Sequence, residues 1–218
     1  MSERLVTVRD PLSPAAEGYR RLRLNLASAG GAQLRTLVVA AAGFDPEKAE
    51  VVANLAVSFA RVGRRAVLVD CDLRHPELHD LFGLDNQIGL TSALADPAIE
   101  IPLQETKVKG LQVLTSGPLV SVPSDLIASP AMGGLLERLH DCADIVLFDV
   151  PPVVLATDAA ELAPQVDGVL LTISAGRTKR EDAQRARDML GKVNARLVGA
   201  ALINAPVDAE LRKYLAAA

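Results

Sequence analysis

Short apolar runs that alternate with longer helical stretches limit, more than any other feature, how this chain can fold. Each run is four to seven residues long and rich in Val, Leu, Ile and Ala, as expected for a strand covered on both faces. Stretches with helical periodicity, such as 48–62, 132–140 and 179–193, separate most of the runs. Strands joined through helices form right-handed crossover units, so the pattern predicts an α/β fold: a doubly wound, mostly parallel sheet with helices on both faces. The predicted strands are residues 36–42, 66–69, 111–115, 144–148, 169–174 and 197–203.

Length and composition favour a single compact domain inside the cell. The chain has 218 residues, 50% of them hydrophobic and only 3% aromatic, which excludes a disordered chain and a large multidomain machine. With 27 acidic residues against 23 Lys and Arg, the net charge of -4 argues against nucleic acid as a partner. Two cysteines are too few for a disulfide framework or a thiolate zinc site, which fits a reducing cytoplasm. No run of about 18 apolar residues occurs, so no membrane span is predicted.

The first 30 residues differ in character from the rest of the chain. They are polar, contain Pro11 and Pro14, and predict a helix at 15–26 that leads into the Ala-Gly-Gly-Ala stretch at 29–32. We therefore expect an N-terminal arm with an oligomerisation helix at 1–30, followed by the α/β domain at 31–218.

Polar side chains collect where the predicted strands end. Asp70 and Asp72 close the second strand, Asp149 closes the fourth, and Asn204 follows the last. In a doubly wound sheet, ligands bind beyond the carboxyl ends of the strands, so one edge collects most of the possible chemistry. Asp70 and Asp72 are two residues apart and emerge on the same face, where a carboxylate pair suits magnesium, a bound water or general-base chemistry. The alternative is that each aspartate only caps the next turn or helix.

The turn after the first predicted strand has a lysine where a phosphate-binding loop has one. Such a loop needs glycines for close backbone approach, a lysine for the outer phosphates and a following hydroxyl residue for magnesium. Lys48 is present, but Glu47 precedes it and Ala49 follows it. Pro46 has no backbone N–H, and it restricts Asp45 to extended conformations. The alternative is an ordinary strand-to-helix turn with a solvated lysine.

Several short motifs occur in a characteristic order along the chain. They are Glu17-Gly18-Tyr19-Arg20-Arg21-Leu22-Arg23, Asn54-Leu55-Ala56, Asp70-Cys71-Asp72-Leu73-Arg74-His75-Pro76, Gly89-Leu90, Pro123-Ser124-Asp125-Leu126-Ile127, Asp149-Val150-Pro151-Pro152, Thr157-Asp158-Ala159 and Asn204. With these motifs the chain, from about residue 11 to residue 206, resembles the cytoplasmic kinase domain of the bacterial tyrosine kinases of capsular and exopolysaccharide synthesis. That family is related to the deviant Walker ATPases, so the resemblance implies a P-loop NTPase-like fold.

The resemblance also implies roles for individual residues. Lys48 would be the Walker A lysine and Asp149 the Walker B carboxylate. Asp70 and Asp72 would be the carboxylates that serve magnesium and the attacking hydroxyl, with Asp70 nearest the metal, and Asn204 would contact the nucleotide. The implied cofactors are therefore ATP and Mg²⁺.

Assembly is a further implication of the resemblance. The family builds a ring of subunits with a Glu-x-x-Arg-x-x-Arg motif, which Glu17, Arg20 and Arg23 match. These three residues lie partly on one side of the predicted helix, where they can present charges to a neighbouring subunit; a solvated charged helix is the alternative. The implied partners are further copies of the chain and the cytoplasmic segment of a membrane chain-length regulator, which would bring this cytoplasmic chain to the inner face of the membrane.

Two departures from the family pattern change the expected function. The family loop Gly-Glu-Gly-Lys-Ser-Thr reads here Asp45-Pro46-Glu47-Lys48-Ala49-Glu50, and the C-terminal cluster of phosphorylated tyrosines is reduced to Tyr214. We therefore expect a pseudokinase that acts by oligomerisation and by binding the membrane regulator. One alternative is a weakly active Mg-ATP-dependent tyrosine kinase or ATPase. Another is a pocket for a different anionic ligand, with Lys48 and Arg74 as its counter-charges.

Overall fold

A seven-stranded sheet lies at the centre of the protein, whose computed structural model describes residues 4–30 and 34–207. The strands are β1 (Thr36–Ala41), β2 (Ala66–Asp70), β3 (Gln104–Glu105), β4 (Leu111–Leu114), β5 (Ile145–Asp149), β6 (Gly168–Ser174) and β7 (Leu197–Ile203). Their order is β3-β4-β2-β5-β1-β6-β7, and every neighbouring pair is parallel except β3 with β4. Tyr214 and the part of the Ala-Gly-Gly-Ala stretch from residue 31 onward lie outside the described residues.

Helices cover both faces of this sheet. They are α1 (Val6–Arg9), α2 (Pro14–Gly30), α3 (Lys48–Ala60), α4 (Leu78–Phe82), α5 (Leu90–Ala95), α6 (Pro123–Ile127), α7 (Pro130–Cys142), α8 (Asp158–Leu162) and α9 (Arg180–Lys192), with a short 3₁₀ helix at Ala163–Gln165. The predicted doubly wound, mostly parallel α/β fold is confirmed. None of the helices described is both long enough and apolar enough to cross a membrane.

The six predicted strands all form, with ends within one residue of those expected. β3 is a seventh strand, which the sequence did not predict. This strand consists only of Gln104 and Glu105, and it exists because β4 offers an antiparallel partner for its backbone. The sequence also did not predict the short helices α1, α4, α5, α6 and α8, because four to six residues are too few to show a helical period.

Two hydrophobic cores, one on each face of the sheet, explain why the strands are almost continuously apolar. Along β1, Leu37 and Val39 belong to one core, whereas Val38 and Ala40 belong to the other. The first core is closed by α2, α3 and α4, and the second by α5, α7, α8 and α9. The two edge strands, β3 and β7, are less buried than the others, since their residues are half-buried or exposed.

The N-terminal helices lie directly against α3. Leu5 and Leu26 are buried in the core that α3 helps to close. The backbone N–H and the hydroxyl of Thr7 both donate to Asn54 Oδ1 of α3, at 2.9 and 2.7 Å. The division into an arm at 1–30 and a domain at 31–218 stays a prediction, but the described part of the arm is packed.

The carboxyl ends of the central strands bring the predicted site residues to one edge. Asp70, the last residue of β2, and Asp149, the last residue of β5, are direct neighbours in the parallel register. α3 begins at Lys48, a few residues beyond the end of the adjacent β1. The chain therefore places its lysine and its aspartates at the same edge of the sheet.

Candidate functional site

Lys48, Asp72 and Asp149 form a buried ion cluster at the carboxyl edge of the sheet. The Lys48 ammonium donates to both carboxylate oxygens of Asp149 at 3.0 Å and lies 2.9 Å from Asp72 Oδ2. The Lys48 side chain is 12% exposed and the two carboxylates are fully buried. Burial by itself lowers the Lys48 pKa, but the charges of Asp149 and Asp72 outweigh it and hold that pKa above its ordinary value. The solvated-lysine alternative is therefore wrong, because the chain's own carboxylates hold Lys48.

Asp70 lies beside this cluster and is completely buried. Its Oδ2 accepts a hydrogen bond from the Leu78 N–H at 3.1 Å, whereas its Oδ1 has no partner among the described residues. Burial, followed by the charge of Asp149, raises the pKa of Asp70 well above its usual range. Asp72 uses one oxygen in a similar way and accepts from the His75 N–H at 3.0 Å. One oxygen of each aspartate therefore accepts a hydrogen bond from a backbone N–H, as the capping interpretation expects. The other oxygen faces the site: that of Asp72 contacts Lys48, and that of Asp70 is unpaired among the described residues.

Asp149 is a carboxyl group of the cluster whose pKa is raised above its ordinary value. Burial raises its pKa to about 6, and this effect exceeds the lowering by the Lys48 ammonium. The charges of Asp72 and Glu77 also raise this pKa. Glu77 was not singled out in the sequence, because it lies in a loop beyond the recognisable Asp-x-Asp-Leu-Arg-x-Pro string.

The loop before α3 uses its own carboxylate as the acceptor for a backbone amide. Asp45 is buried, and its Oδ1 accepts a hydrogen bond from the Glu47 N–H at 3.0 Å. The Lys48 N–H donates to the Asp45 carbonyl oxygen at 3.4 Å, and Pro46 has no N–H. Three consecutive positions, 46–48, thus have no backbone N–H free for an external acceptor.

Glu47 connects this loop to the ends of β6 and β7. Its carboxylate accepts from Arg177 at 2.9 Å and from the Asn204 side-chain amide at 2.9 Å. The same amide donates to Ser174 Oγ at 3.1 Å, and Asn204 adopts a left-handed backbone with φ of 56°. The hydrogen bond from Asn204 is the main cause that lowers the pKa of Glu47. Asn204, the residue expected to contact a nucleotide, is therefore already bonded to the loop.

Arg74 and Asp158 form a second ion pair that braces the site. The Arg74 guanidinium donates to both oxygens of the fully buried Asp158 carboxylate at 2.8 Å and to the Ser124 hydroxyl at 2.7 Å. This pair joins the loop after β2 to the start of α8 and to α6. Arg74, considered in the sequence as a counter-charge for a ligand, is instead paired within the chain.

No ready-made metal site occurs within the described residues. No three carboxyl, imidazole or thiol groups there lie close enough together to hold an ion alone. Magnesium in nucleotide sites takes one or two carboxylates and completes its shell with phosphate oxygens and water. A magnesium role for Asp70, whose Oδ1 is unpaired, would therefore depend on a bound phosphate.

The three residues predicted to lie at a subunit interface are all on α2. Glu17 and Arg20 form an ion pair within the chain, and the Arg20 guanidinium also donates to the Pro11 carbonyl oxygen. Arg23 lies one turn further along, and its Nε is buried without a hydrogen-bond partner among the described residues. The structure places these residues on the helix as expected, but it pairs two of them with each other.

Curated relatives match nearly the whole chain, although no protein-family model matches it. The chain is 36% identical over 202 residues to tyrosine-protein kinase YwqD of Bacillus subtilis (strain 168), covering 92% of this chain and 85% of YwqD. It is 28% identical to tyrosine-protein kinase CpsD of Streptococcus pneumoniae serotype 4, over 93% of this chain and 89% of CpsD. It is also 30% identical to the succinoglycan biosynthesis transport protein ExoP of Rhizobium meliloti, but it covers only 27% of that protein.

Solved structures of similar fold include proteins of the same kind. The chimerical protein CapA2B2 superposes with a TM-score of 0.89 at 29% identity, covering 94% of this chain and 92% of the chimera. The kinase domain of the Escherichia coli tyrosine kinase ETK gives a TM-score of 0.85 at 28% identity, over 94% of this chain and 82% of that domain. The septum site-determining protein MinD of Pyrococcus horikoshii, complexed with Mg-ADP, matches at 0.65 and 21% identity over 84% of this chain and 77% of MinD, which shows the shared fold alone.

YwqD and this chain are 36% identical over most of both chains, and the solved structures agree in fold over almost the same span. The Asp-x-Asp-Leu-Arg-x-Pro motif provides Asp72 to the buried ion cluster and Arg74 to the ion pair with Asp158. The protein therefore belongs to the family of bacterial tyrosine-protein kinases.

Proposed function

We propose that this protein is a pseudokinase component of exopolysaccharide or capsule biosynthesis, in which the kinase fold serves assembly and partner binding. One observation carries the proposal: loop positions 46–48 have no free backbone N–H. Pro46 has none, and Glu47 and Lys48 donate theirs to Asp45. A phosphate-binding loop depends on such amides to hold the phosphate oxygens, and here the chain's own groups take them.

The charges of the loop also oppose a triphosphate. Asp45 and Glu47 stand where the family pattern has glycines, and the nearest cations, Lys48 and Arg177, are already paired with carboxylates. At about 4 Å and an effective dielectric constant near 20, a carboxylate and a phosphate charge repel each other by about 4 kcal/mol. In this arrangement the loop residues do not fit a nucleoside triphosphate.

The pathway and the partner are proposed from the relatives. ExoP is a succinoglycan biosynthesis transport protein, and this chain matches only 27% of its length. The protein CapA2B2 is a chimera, which supports a second protein as a partner of the kinase-like part. We propose that the present chain binds the cytoplasmic segment of a membrane chain-length regulator of polysaccharide synthesis, and reaches the membrane through it.

Self-association is proposed through α2. The helix carries Glu17, Arg20 and Arg23, and the side chains of Glu17 and Arg20 are partly exposed. Two copies could exchange the internal Glu17–Arg20 pair for equivalent pairs between subunits, which would keep the number of ion pairs constant. This proposal is supported by the motif and by the position of the residues on the helix.

A weakly active Mg-ATP-dependent tyrosine kinase or ATPase is the second candidate. The observation that favours it is the position of Lys48, which lies between Asp72 and Asp149, with Asp70 and its unpaired Oδ1 alongside. A nucleotide that displaced both carboxylates from Lys48 would recover the arrangement that the family resemblance implies.

Calorimetric titration with Mg-ATP separates the two candidates. Three proteins are compared: the wild type, the Lys48→Ala variant, and a variant whose loop is restored to the family pattern. The restored loop carries Asp45→Gly, Pro46→Glu, Glu47→Gly, Ala49→Ser and Glu50→Thr. Lys48 is largely buried and Asp45 is buried, so substitutions at these positions can destabilise the protein. A thermal melt of each variant therefore checks that it is folded.

The pseudokinase proposal expects no heat of binding for the wild type and clear binding for the restored loop. That pair of results would show that the loop alone prevents binding and that the rest of the pocket is competent. Binding by the wild type that disappears in Lys48→Ala would contradict the proposal and support the second candidate, which a phosphotransfer assay would then test. If neither the wild type nor the restored-loop variant binds Mg-ATP, the cause of the lost binding lies outside the loop. The argument from positions 46–48 would then fail.

A further inference from the structure

Basic side chains collect at the amino ends of the parallel strands, on the opposite edge of the sheet from the Lys48 cluster. The four residues before each of these strands include six Lys and Arg residues but only three Asp residues. The basic residues precede β1, β2, β4 and β7, and they are Arg35, Arg64, Arg65, Lys107, Lys109 and Arg196. The acidic residues precede β5 and β6, and they are Asp141, Asp144 and Asp167. In a chain whose net charge is -4, this amino edge has a local excess of positive charge.

Contacts between neighbouring strands join these residues into one row. The Arg196 guanidinium donates to the Asp167 carbonyl oxygen at 3.4 Å, and the Asp167 carboxylate accepts from the Arg35 N–H at 2.8 Å. Further along the sheet, the Arg64 guanidinium donates to the Asp144 carbonyl oxygen. Burial lowers the pKa of Arg64, and the charge of Arg35 lowers it further, so these two cations are close enough to repel each other. From β4 to β7 the row crosses six strands, which corresponds to a length of about 24 Å.

The acidic residues of the amino edge are more fully engaged than the basic ones. Asp144 accepts from the Arg65 N–H at 2.9 Å and pairs with the Arg65 guanidinium at 2.8 Å. Asp167 accepts from two backbone N–H groups at the start of β1. Uncharged carbonyl oxygens are the acceptors for the guanidinium groups of Arg35, Arg64 and Arg196. Lys107 and Lys109 are exposed, and neither forms an ion pair with another described residue.

We propose that the amino edge binds an anionic lipid surface, through Lys107, Lys109 and the arginines beside them. The arginines already use N–H donors on backbone carbonyl oxygens, and lysines are flexible point charges, so the row does not form a fork for one defined phosphate group. A row of separate charges along the ends of six strands instead complements many headgroups at once, and each Lys or Arg near such a surface adds to binding.

This lipid contact goes beyond the proposed function, because it adds a direct attraction to the contact with a membrane partner. It involves neither the Lys48 cluster nor α2, and it does not depend on whether the chain binds nucleotide. With the amino edge against the lipid, the carboxyl edge and the Lys48 cluster face away from the membrane.

Co-sedimentation of the full-length protein with lipid vesicles tests the proposal. Vesicles of equal parts phosphatidylglycerol and phosphatidylcholine are compared with vesicles of phosphatidylcholine alone, at low ionic strength. We expect the wild type to bind the anionic vesicles only, and binding to weaken as salt screens the charges. The double variant Lys107→Gln with Lys109→Gln should bind about thirtyfold more weakly, because it removes two charges near the surface.

The matched control is the double variant Lys179→Gln with Arg180→Gln. It changes the net charge by the same amount, but its two exposed residues lie at the start of α9, towards the carboxyl edge. It should bind the anionic vesicles about as the wild type does. Far-ultraviolet circular dichroism and thermal melts establish that each variant is folded.

Three results would overturn the proposal. The first is a wild type that binds anionic vesicles no better than neutral ones at low ionic strength. The second is equal binding by the Lys107 and Lys109 double variant and by the control, which would mean that the amino edge contributes nothing specific. The third is a wild type that does not bind vesicles but binds polyglutamate through the same two lysines. The occupant of the amino edge would then be an acidic protein segment.

Discussion

Replacement of Lys48 by methionine tests whether this lysine acts as a structural ion in the present chain. Methionine retains an apolar stem of similar length but removes the charge, so that Asp72 and Asp149 lose the ammonium between them. A lysine whose role is to bind a phosphate would contribute little to the free energy of unfolding, since residues that serve ligand binding are commonly not optimised for stability. The two interpretations therefore predict different stabilities.

The geometry gives the magnitude of the expected effect. The ammonium lies 2.9 Å from Asp72 Oδ2 and 3.0 Å from both oxygens of Asp149, and all three side chains are largely or fully buried. Removal of one partner from a buried ion pair destabilises a protein by about 3–5 kcal/mol. For a domain of this size, each kcal/mol lowers Tm by about 2–4 °C. We expect Lys48→Met to lower Tm by roughly 6–20 °C.

Urea unfolding and thermal melts at neutral pH measure this effect. The control is Lys192→Met, which alters an exposed lysine in the last turn of α9 and should change the free energy of unfolding by less than about 0.5 kcal/mol. The double variant Lys48→Met with Asp149→Asn should recover part of the loss, because it also removes one of the uncompensated carboxylates. A Lys48→Met protein as stable as the Lys192→Met control would refute the structural-ion interpretation.

Three further predictions concern the rest of the site. Because burial raises the pKa of Asp149 to about 6, the folded state binds a proton between about pH 6 and pH 4 that the unfolded state does not. The wild type should therefore gain stability relative to Asp149→Asn as the pH falls through this window, by at most about 3 kcal/mol, as measured by urea unfolding at several pH values. Arg74→Met leaves the buried Asp158 carboxylate without its partner and should cost about 3–5 kcal/mol in the same assay. Asn204→Ala removes the main cause that lowers the Glu47 pKa, so that pKa should rise towards its ordinary value in a carboxyl-carbon NMR titration.

Matched variants decide each of these predictions. For Asp149, stability curves of the wild type and Asp149→Asn that run parallel from pH 7 to pH 4 would contradict the buried-carboxyl argument. For Arg74, the exposed Arg187→Met is the control, and equal losses in the two variants would mean that the Asp158 pair contributes nothing specific. For Asn204, the exposed Asn25→Ala is the control, and a Glu47 titration that is the same in both variants would disprove the bond between Glu47 and Asn204.

The fold and the edge that carries the site could be predicted from the sequence. Runs such as 36–42 and 66–69 are apolar because both sheet faces are covered, so their character survives in any arrangement that buries them. The position of Asp70 and Asp149 at strand ends follows from the same pattern, since parallel strands end at one edge. β3 could not be predicted, because two polar residues become a strand only through a neighbour's backbone.

The doubly wound sheet could be predicted from the amino-acid sequence, as could the family and the residues gathered at the carboxyl edge, because these depend on local patterns and short motifs. Which of those residues bind one another becomes visible in the folded chain alone. Lys48 meets Asp149 across 101 positions of sequence, and Glu47 meets Asn204 across 157. Such pairs depend on the order of strands in the sheet and on the burial of each carboxylate, and neither property can be read from residue type or spacing.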